Sequence, residues 1–190
     1  MKKVFCLLTV LLFSVSLQAQ NAHLSFKGIP MDGDYKAFAQ KLVQKGLKVE
    51  TTTSEFVGLS GRFMHYLDVM VFVYPNPTNK FVSSVVAAID AGKSWASVED
   101  QYNLVVATYQ SKYGQPSEHI EEFTEDVYDS DTWRLMRLRE NRCNYYSKWE
   151  LDEGTILIQL AYSEPVYYVL CFYYDKQNQV DRLKEILEEI

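Results

Sequence analysis

Apolar residues recur at helical spacing in two separate stretches of the chain. The first predicted helix begins at Asp32 or Asp34, because either carboxylate can accept hydrogen bonds from the first turn, and it ends at Gly46. The second begins at Ser94 and ends at Gly114. The apolar stripe of the first is Tyr35, Phe38 and Leu42, and that of the second is Trp95, Val98, Tyr102, Val105 and Tyr109. Both spacings predict amphipathic helices that cover a core with one face.

Segments rich in β-branched and aromatic residues follow each helix and predict three strands in each half of the chain. Turn residues separate these segments, as in Pro75-Asn76-Pro77 and Asp152-Glu153-Gly154. The predicted strands are Gly58 to Phe63, Leu67 to Tyr74 and Phe81 to Ile89, then Arg142 to Leu151, Thr155 to Tyr162 and Val166 to Tyr174. Strands joined by such short turns pair antiparallel, so a meander is expected in each half.

The order of elements repeats along the chain. The two helical stripes align at an offset of 67 residues, whereas Val69 aligns with Ile156 at an offset of 87. The sequence therefore predicts an α+β domain of two helix-plus-three-strand repeats, over about 24–92 and 93–176, that share one antiparallel sheet with helices on one face. A C-terminal helix over 178–190 would carry an apolar face of Val180, Leu183, Leu187 and Ile190. A loose alignment of two unrelated α+β halves is the alternative.

The increase in offset predicts an insertion in the second repeat, over about 115–141. Its first part is acidic, and its second part carries arginines around a tryptophan. A calcium loop is one interpretation of the acidic part, but the spacing lacks the alternating ligands and the central Gly of such loops. The other interpretation is a solvated acidic loop that caps a short helix through Asp129 or Asp131. The candidate binding residues of the insertion are Asp129, Asp131, Trp133, Arg134 and Arg137.

The strands of the second half are rich in tyrosine, with seven of the 14 tyrosines between Asn141 and Tyr174. Alternation predicts that Trp149, Ile156, Ile158 and Leu160 lie under the helices. The opposite, open face is predicted to carry Arg142, Asn144, Tyr146, Lys148, Leu157, Gln159, Tyr168, Phe172 and Tyr174. All of these except Asn144 and Leu157 are candidate binding residues, because a mixed polar and aromatic face is typical of protein-binding surfaces. An exposed scaffold without a partner is the alternative, and a single bulge would exchange the two faces.

The N-terminal residues have the pattern of an export signal. Two lysines precede an apolar run over 4–17, and Ala19 offers a small residue at a cleavage position. The run is shorter than the roughly 20 residues that a spanning helix needs, and no second run of that length follows. We therefore expect a signal peptide over 1–19, no membrane span after its removal, and one mature domain over 20–190. Its expected location is the periplasm, the cell surface or the medium.

Composition and charge narrow the classes of function. The chain is 47% hydrophobic and 23% charged, which is typical of a packed soluble domain. Its net charge of −6 argues against a broad phosphate-neutralising surface, so nucleic acid is not an expected partner. Cys143 and Cys171 fall on the first and third strands of one meander, several residues out of register, which favours two buried free thiols over a disulfide.

The sequence contains no arrangement typical of catalysis or metal binding. His23, His65 and His119 are far apart, and Gly58-Leu59-Ser60-Gly61 lacks the spacing of a nucleophile elbow. We therefore expect no cofactor and no metal, and we favour a module that binds a protein partner over an enzyme. The alternatives are a hydrolase or small-ligand carrier with a cleft near 115–141, and a structural envelope protein. The pattern does not predict an oligomeric state.

The predicted layout resembles the tandem helix-plus-strands units of the β-lactamase-inhibitor-protein-like fold. The opening Phe26-Lys27-Gly28-Ile29-Pro30, together with Lys45-Gly46 at the helix end, is similar to a family of exported proteins of Gram-negative gut commensals whose function is unknown. The first resemblance implies that helices cover one side of the sheet and that the open side binds a partner.

Overall fold

The computed structural model describes residues 23–124 and 130–179. The helices in these ranges are α1 (Tyr35–Gln44), α2 (Trp95–Tyr113) and α3 (Asp131–Arg139). The strands are β1 (Ser25–Phe26), β2 (Ile29–Pro30), β3 (Lys48–Thr52), β4 (Val57–Phe63), β5 (Tyr66–Pro75), β6 (Val82–Asp90), β7 (Glu118–Phe123), β8 (Cys143–Leu151), β9 (Gly154–Ser163) and β10 (Val166–Asp175). Residues 176–179 are helical. The signal peptide predicted over 1–19 lies outside the described residues, as does the predicted C-terminal helix beyond 179.

Strands β3 to β10 form one antiparallel sheet of eight strands, and β1 and β2 form a separate hairpin. The order in the large sheet is β3-β4-β5-β6-β10-β9-β8-β7, so the two halves of the chain meet where β6 pairs with β10. Helix α1 packs on β4 and β5, α2 packs on β9 and β10, and α3 packs on β8 and β9. The predicted α+β class with a large antiparallel sheet is therefore confirmed.

The six predicted strands are all present, and their ends agree with the prediction to within one residue. The prediction of three strands in each half is wrong, because β3 and β7 add a fourth strand to each half at the two edges of the sheet. Both edge strands are polar and largely exposed, so they lack the apolar alternation by which the other strands were recognised.

The region predicted as an insertion also differs from its prediction. The acidic run that was expected to be a loop begins as strand β7, which pairs with β8 from Glu118↔Lys148 to Phe123↔Cys143. The helix that follows is capped by Ser130, whose hydroxyl accepts a hydrogen bond from Trp133 N at 3.3 Å, and not by Asp131, which is its first residue. Asp129 lies outside the described residues.

The predicted helical stripes face the sheet and form the core. Phe38, Leu42, Tyr102 and Val105 are fully buried, and they pack with the inward-facing residues of the sheet in one continuous cluster. Each large side chain buried in this way contributes about 1.5–3 kcal/mol. The Tyr102 hydroxyl makes a 2.9 Å hydrogen bond to Ser147 Oγ beneath α2, so these two buried hydroxyl groups satisfy each other.

A buried polar cluster closes the domain at the end of β10. Asp175 is fully buried, and its carboxylate accepts hydrogen bonds from Leu24 N at 2.8 Å and Asn178 N at 2.9 Å. The Asn178 side-chain amide donates to Met31 O and Val82 O at 2.9 and 2.7 Å. These bonds tie the chain after β10 to the N-terminal hairpin and to β6.

We expect Asn178→Ala to lower the free energy of unfolding by about 2–4 kcal/mol, because two buried carbonyl groups would lose their donor. Urea unfolding followed by circular dichroism measures this change. Lys176→Ala, in the same short segment but exposed, is the matched control and should change stability by less than about 0.5 kcal/mol. Equal stabilities of the two variants would contradict the structural role given to Asn178.

Candidate functional site

The sheet surface opposite α1, α2 and α3, here termed the open face, is not covered by any element within residues 23–124 and 130–179. Strand β10 shows the division between the two faces most clearly. Its residues Tyr167, Val169, Cys171 and Tyr173 are buried under the helices, whereas Tyr168, Leu170, Phe172 and Tyr174 are half-buried on the other side. The candidate residues Tyr146, Lys148 and Gln159 lie on the same open face, since β8 and β9 alternate in register with β10.

The register aligns one apolar row across the middle of the open face. Phe72 on β5 pairs with Val86 on β6, Val86 pairs with Phe172 on β10, and Phe172 pairs with Leu157 on β9. The row ends at Lys148 and Glu118 on the last two strands. Four adjacent strands therefore present half-buried apolar side chains directly opposite one another, which is the closest arrangement of side chains that a sheet offers.

Aromatic rings reinforce this row on both of its flanks. Phe56, in the connection before β4, packs edge-on against Phe72 with ring centroids 5.7 Å apart, and its ring lies 5.8 Å from that of Tyr74. Two strands further on, Phe172 and Tyr174 are stacked at 5.9 Å with nearly parallel rings. We call Phe56, Phe72, Tyr74, Phe172 and Tyr174 the aromatic band. It is a patch of partly exposed rings in the centre of the open face.

The β7–β8 margin of the open face is acidic and hydrogen-bonded. The Tyr146 hydroxyl donates to Glu118 at 2.6 Å, which raises the pKa of Tyr146 because the carboxylate stabilises the protonated phenol. Lys148 pairs with Glu150, and Glu150 also accepts a 2.8 Å bond from Thr155. Their mutual hydrogen bond raises the pKa of Lys148 and, with the bond from Thr155, lowers that of Glu150. The Glu150 carboxylate thus balances the positive charge of Lys148. The Glu118 carboxylate keeps the β7–β8 margin negative.

Acidic residues also occur on the far side of the aromatic band. Asp68 on β5 and Asp90 on β6 are exposed, and Glu50 on β3 accepts a hydrogen bond from the Ser60 hydroxyl. Carboxylates therefore lie at the β7–β8 margin, at the ends of β5 and β6, and on β3, where exposed Lys48 is two residues from Glu50. Such a surface can bind an apolar segment flanked by cationic side chains.

A depression of about 300 Å³ lies on the open face beside the aromatic band. Its lining includes Leu157, Tyr174 and Gln179.

The structure does not bring the described candidate residues of the insertion to the open face. Helix α3 packs with α2 on the other side of the sheet. Trp133 is almost fully buried, 5.6 Å from the Phe123 ring, and Arg137 covers it at 4.6 Å. Arg134 lies 5.9 Å from the Trp95 ring, while Asp131 is exposed in the first turn. Arg137 and Trp133 therefore stabilise the packing of α3.

Arg142, the remaining candidate residue, precedes β8 at its exposed end, with Nε 3.9 Å from Glu140. The prediction also missed half of the open face, because it considered only the second half of the chain. Val69, Val71 and Val73 are the buried residues of β5, and their alternation indicates that Phe72 and Tyr74 face outward. Phe56 carries no such signal, since it lies outside a strand.

A cleft of about 200 Å³ does occur near the insertion. It opens where β8 and β9 separate beyond the pair Tyr146↔Gln159, and Leu138 of α3 lies against it. Its polar lining consists of three amides, the phenols of Tyr145 and Tyr146 and the thiol of Cys143, with neither a carboxylate nor a histidine among the lining residues. Burial raises the pKa of Cys143 to about 12 and that of Tyr145 to about 12, so both side chains stay protonated at neutral pH.

The predicted free thiols are confirmed: Cys143 and Cys171 are unpaired. Both face the helices, two strands apart and about four residues out of register, a separation of roughly 16 Å that no disulfide can bridge. Cys171 is fully buried and Cys143 half-buried. Within the described ranges, no three His, Cys, Asp or Glu side chains come together as metal ligands, and no helix is long and apolar enough to cross a membrane.

Comparison with protein-family models gives no match, and comparisons with curated proteins and with solved structures give none either.

We expect both thiols to react slowly with iodoacetamide in the native protein at pH 8. Burial raises the pKa of Cys143 to about 12 and that of Cys171 to about 12, so almost no thiolate is present. Peptide mass spectrometry should show labelling of each at least about 100-fold slower than in 8 M urea. Rapid labelling of Cys143 in the native state would contradict its placement under the helices.

Proposed function

We propose that this protein is an exported interaction module whose open face binds a protein partner. The aromatic band supports this proposal, because it is a contiguous set of partly exposed rings on a face that the described helices leave uncovered. Aromatic residues supply large contact area at low cost in side-chain entropy, and they are enriched at the centres of interfaces. The acidic margins favour a partner with an apolar or aromatic centre and Lys or Arg at its edges.

The dimensions of the open face favour a protein over a small ligand. The row from Phe72 to Leu157 crosses four strands, and at about 4.8 Å per strand it is roughly 14 Å wide. A helix with its side chains is about 10–12 Å across, so one amphipathic helix or a strand pair covers such a row. The ring faces can then contact both apolar and cationic side chains of the partner.

We also propose that the two halves of the chain are copies of one unit, with one helix and four strands in each. The order of elements supports this, since α1 precedes β3 to β6 and α2 precedes β7 to β10, with α3 added between β7 and β8. The strand order runs outward from β6 and β10 in opposite directions. In this interpretation the open face is a composite of equivalent surfaces.

The partner is tested by photocrosslinking in envelope extract of a Gram-negative host. With p-benzoylphenylalanine at Phe172, we expect a crosslink to a protein whose contacting peptide carries Lys or Arg beside apolar residues. With the probe kept at position 172, Phe72→Ser should reduce capture at least about tenfold, and 0.5 M salt should reduce it about fivefold, because the acidic margins contribute electrostatically. The crosslinked peptide is identified by mass spectrometry.

Leu104, exposed on α2 on the other side of the sheet, provides the matched control. The photoprobe at Leu104 should not capture the same protein, and Leu104→Ser should leave capture at Phe172 unchanged. Crosslinking of Phe172 to residues 180–190 of its own chain would refute the proposal and identify that segment as the cover of the face. A crosslink to a second copy would refute it in favour of a dimer.

The predicted signal peptide can be tested separately from partner binding. The 190-residue chain, expressed in a Gram-negative host, should be recovered from the periplasm or beyond with Gln20 at its N-terminus. N-terminal sequencing of the fractionated protein measures this. Lys2→Glu with Lys3→Glu should slow processing, because the positive n-region is lost, and an unprocessed cytoplasmic wild type would overturn the assignment.

A further inference from the structure

A second feature lies on the helix side of the sheet, away from the open face. It is a cavity of about 240 Å³ between the C-terminal half of α2, the turn that joins β1 to β2, and the turn that joins β4 to β5. Thr108 and Lys112 come from α2, Lys27 from the first turn and Met64 from the second. Three segments that are distant in sequence therefore converge on one small cavity, as in many ligand sites.

The interior of the cavity is aromatic. Phe63, Tyr109 and Tyr173 line it, and each is held by further ring contacts. The Phe63 ring stacks on Phe26 at 5.1 Å, and Tyr173 packs edge-on against Phe26 at the same distance. The hydroxyls of Tyr109 and Tyr173 hydrogen-bond to each other, and burial raises the pKa of both, so they remain neutral. The cavity therefore has a rigid, uncharged wall that suits a flat apolar group.

Two ammonium groups also line the cavity. Lys27 Nζ donates to Arg62 O at 2.6 Å, and Lys112 Nζ lies 4.7 Å from the centre of the Tyr113 ring. Within residues 23–124 and 130–179, neither ammonium lies within ion-pair distance of a carboxylate. Each ammonium can donate three hydrogen bonds, and only one of the six has a protein acceptor in this part of the chain.

The positive charge of this cavity differs from the acidic composition of the whole chain. The protein has 25 acidic and 19 basic residues, yet the lining of this cavity contains two lysines and no acid. Burial lowers the pKa of Lys27, and the charge of nearby Lys45 lowers it further. A bound anion would offset both effects by supplying the missing opposite charge.

We propose that this cavity binds a small aromatic carboxylate, with its ring against Phe63, Tyr109 and Tyr173 and its carboxylate between Lys27 and Lys112. The size of the cavity admits a ligand of one or two rings, since sites for larger organic ligands are typically 300 Å³ or more. The site does not depend on partner binding at the open face, because it lies on the opposite side of the sheet.

Calorimetry with indole-3-acetate tests the proposal, and the neutral analogue indole-3-acetamide tests the role of charge. We expect the acid to bind at least about tenfold more tightly than the amide. Lys112→Met and Lys27→Asn should each weaken binding of the acid about five- to tenfold and leave that of the amide unchanged. Asn is chosen at position 27 because the backbone there has φ 51, a region that Asn tolerates well.

Lys93→Met is the matched control, because Lys93 is an exposed lysine just before the opposite end of α2. It should leave both affinities unchanged. Thr108→Trp, from an exposed position that lines the cavity, should fill it and abolish binding of both ligands while the thermal unfolding midpoint stays within a few degrees of wild type. Absence of binding to the wild type, equal affinity for acid and amide, or unchanged affinity in the Lys27 and Lys112 double variant would each overturn the proposal.

Discussion

The antiparallel pairing of β6 with β10 is the contact on which the rest of the structure depends. Seven residue pairs, from Tyr168↔Asp90 to Tyr174↔Ser84, join the two halves of the chain into one sheet. Because side chains alternate along strands, this register decides which residues of both halves lie under the helices. It places Val85, Ala87, Cys171 and Tyr173 in the core and aligns Phe172 with Val86 on the other side. A shift of one residue would turn the core residues of β10 to the open face.

The ends of the sheet are stabilised differently from its centre. Apolar burial stabilises the centre, whereas buried hydrogen bonds stabilise the region where β10 ends. Asp175 and Asn178 satisfy backbone groups of the N-terminal hairpin and of β6 that would otherwise be buried without partners. At the sheet edges, β3 and β7 are polar and exposed, and such edges discourage pairing with further strands.

The two faces of the sheet offer different chemistry, although β10 contributes to both. Its outward residues Phe172 and Tyr174 belong to the aromatic band, while Tyr173 between them lines the cavity beneath α2. The open face is broad, aromatic and bordered by carboxylates, which suits a macromolecule with cationic edges. The cavity is small and carries two ammonium groups, which suits a small anion. Arg134 and Arg137 of α3, which the sequence suggested for recognition, instead cover Trp95 and Trp133 within the fold.

The amino-acid sequence by itself determined two amphipathic helices, six strands and the inward or outward direction of their side chains. It could do so because each depends on a local period, such as Val69, Val71 and Val73 against Phe72 and Tyr74. The sequence did not predict the edge strands β3 and β7, because they carry no apolar alternation. They form because β4 and β8 offer free backbone groups to pair with. Only the tertiary structure decided that α3 packs beside α2, and that Lys27 and Lys112, 85 residues apart in the chain, line one cavity. Such juxtapositions arise from the packing of distant segments and leave no pattern in the local sequence.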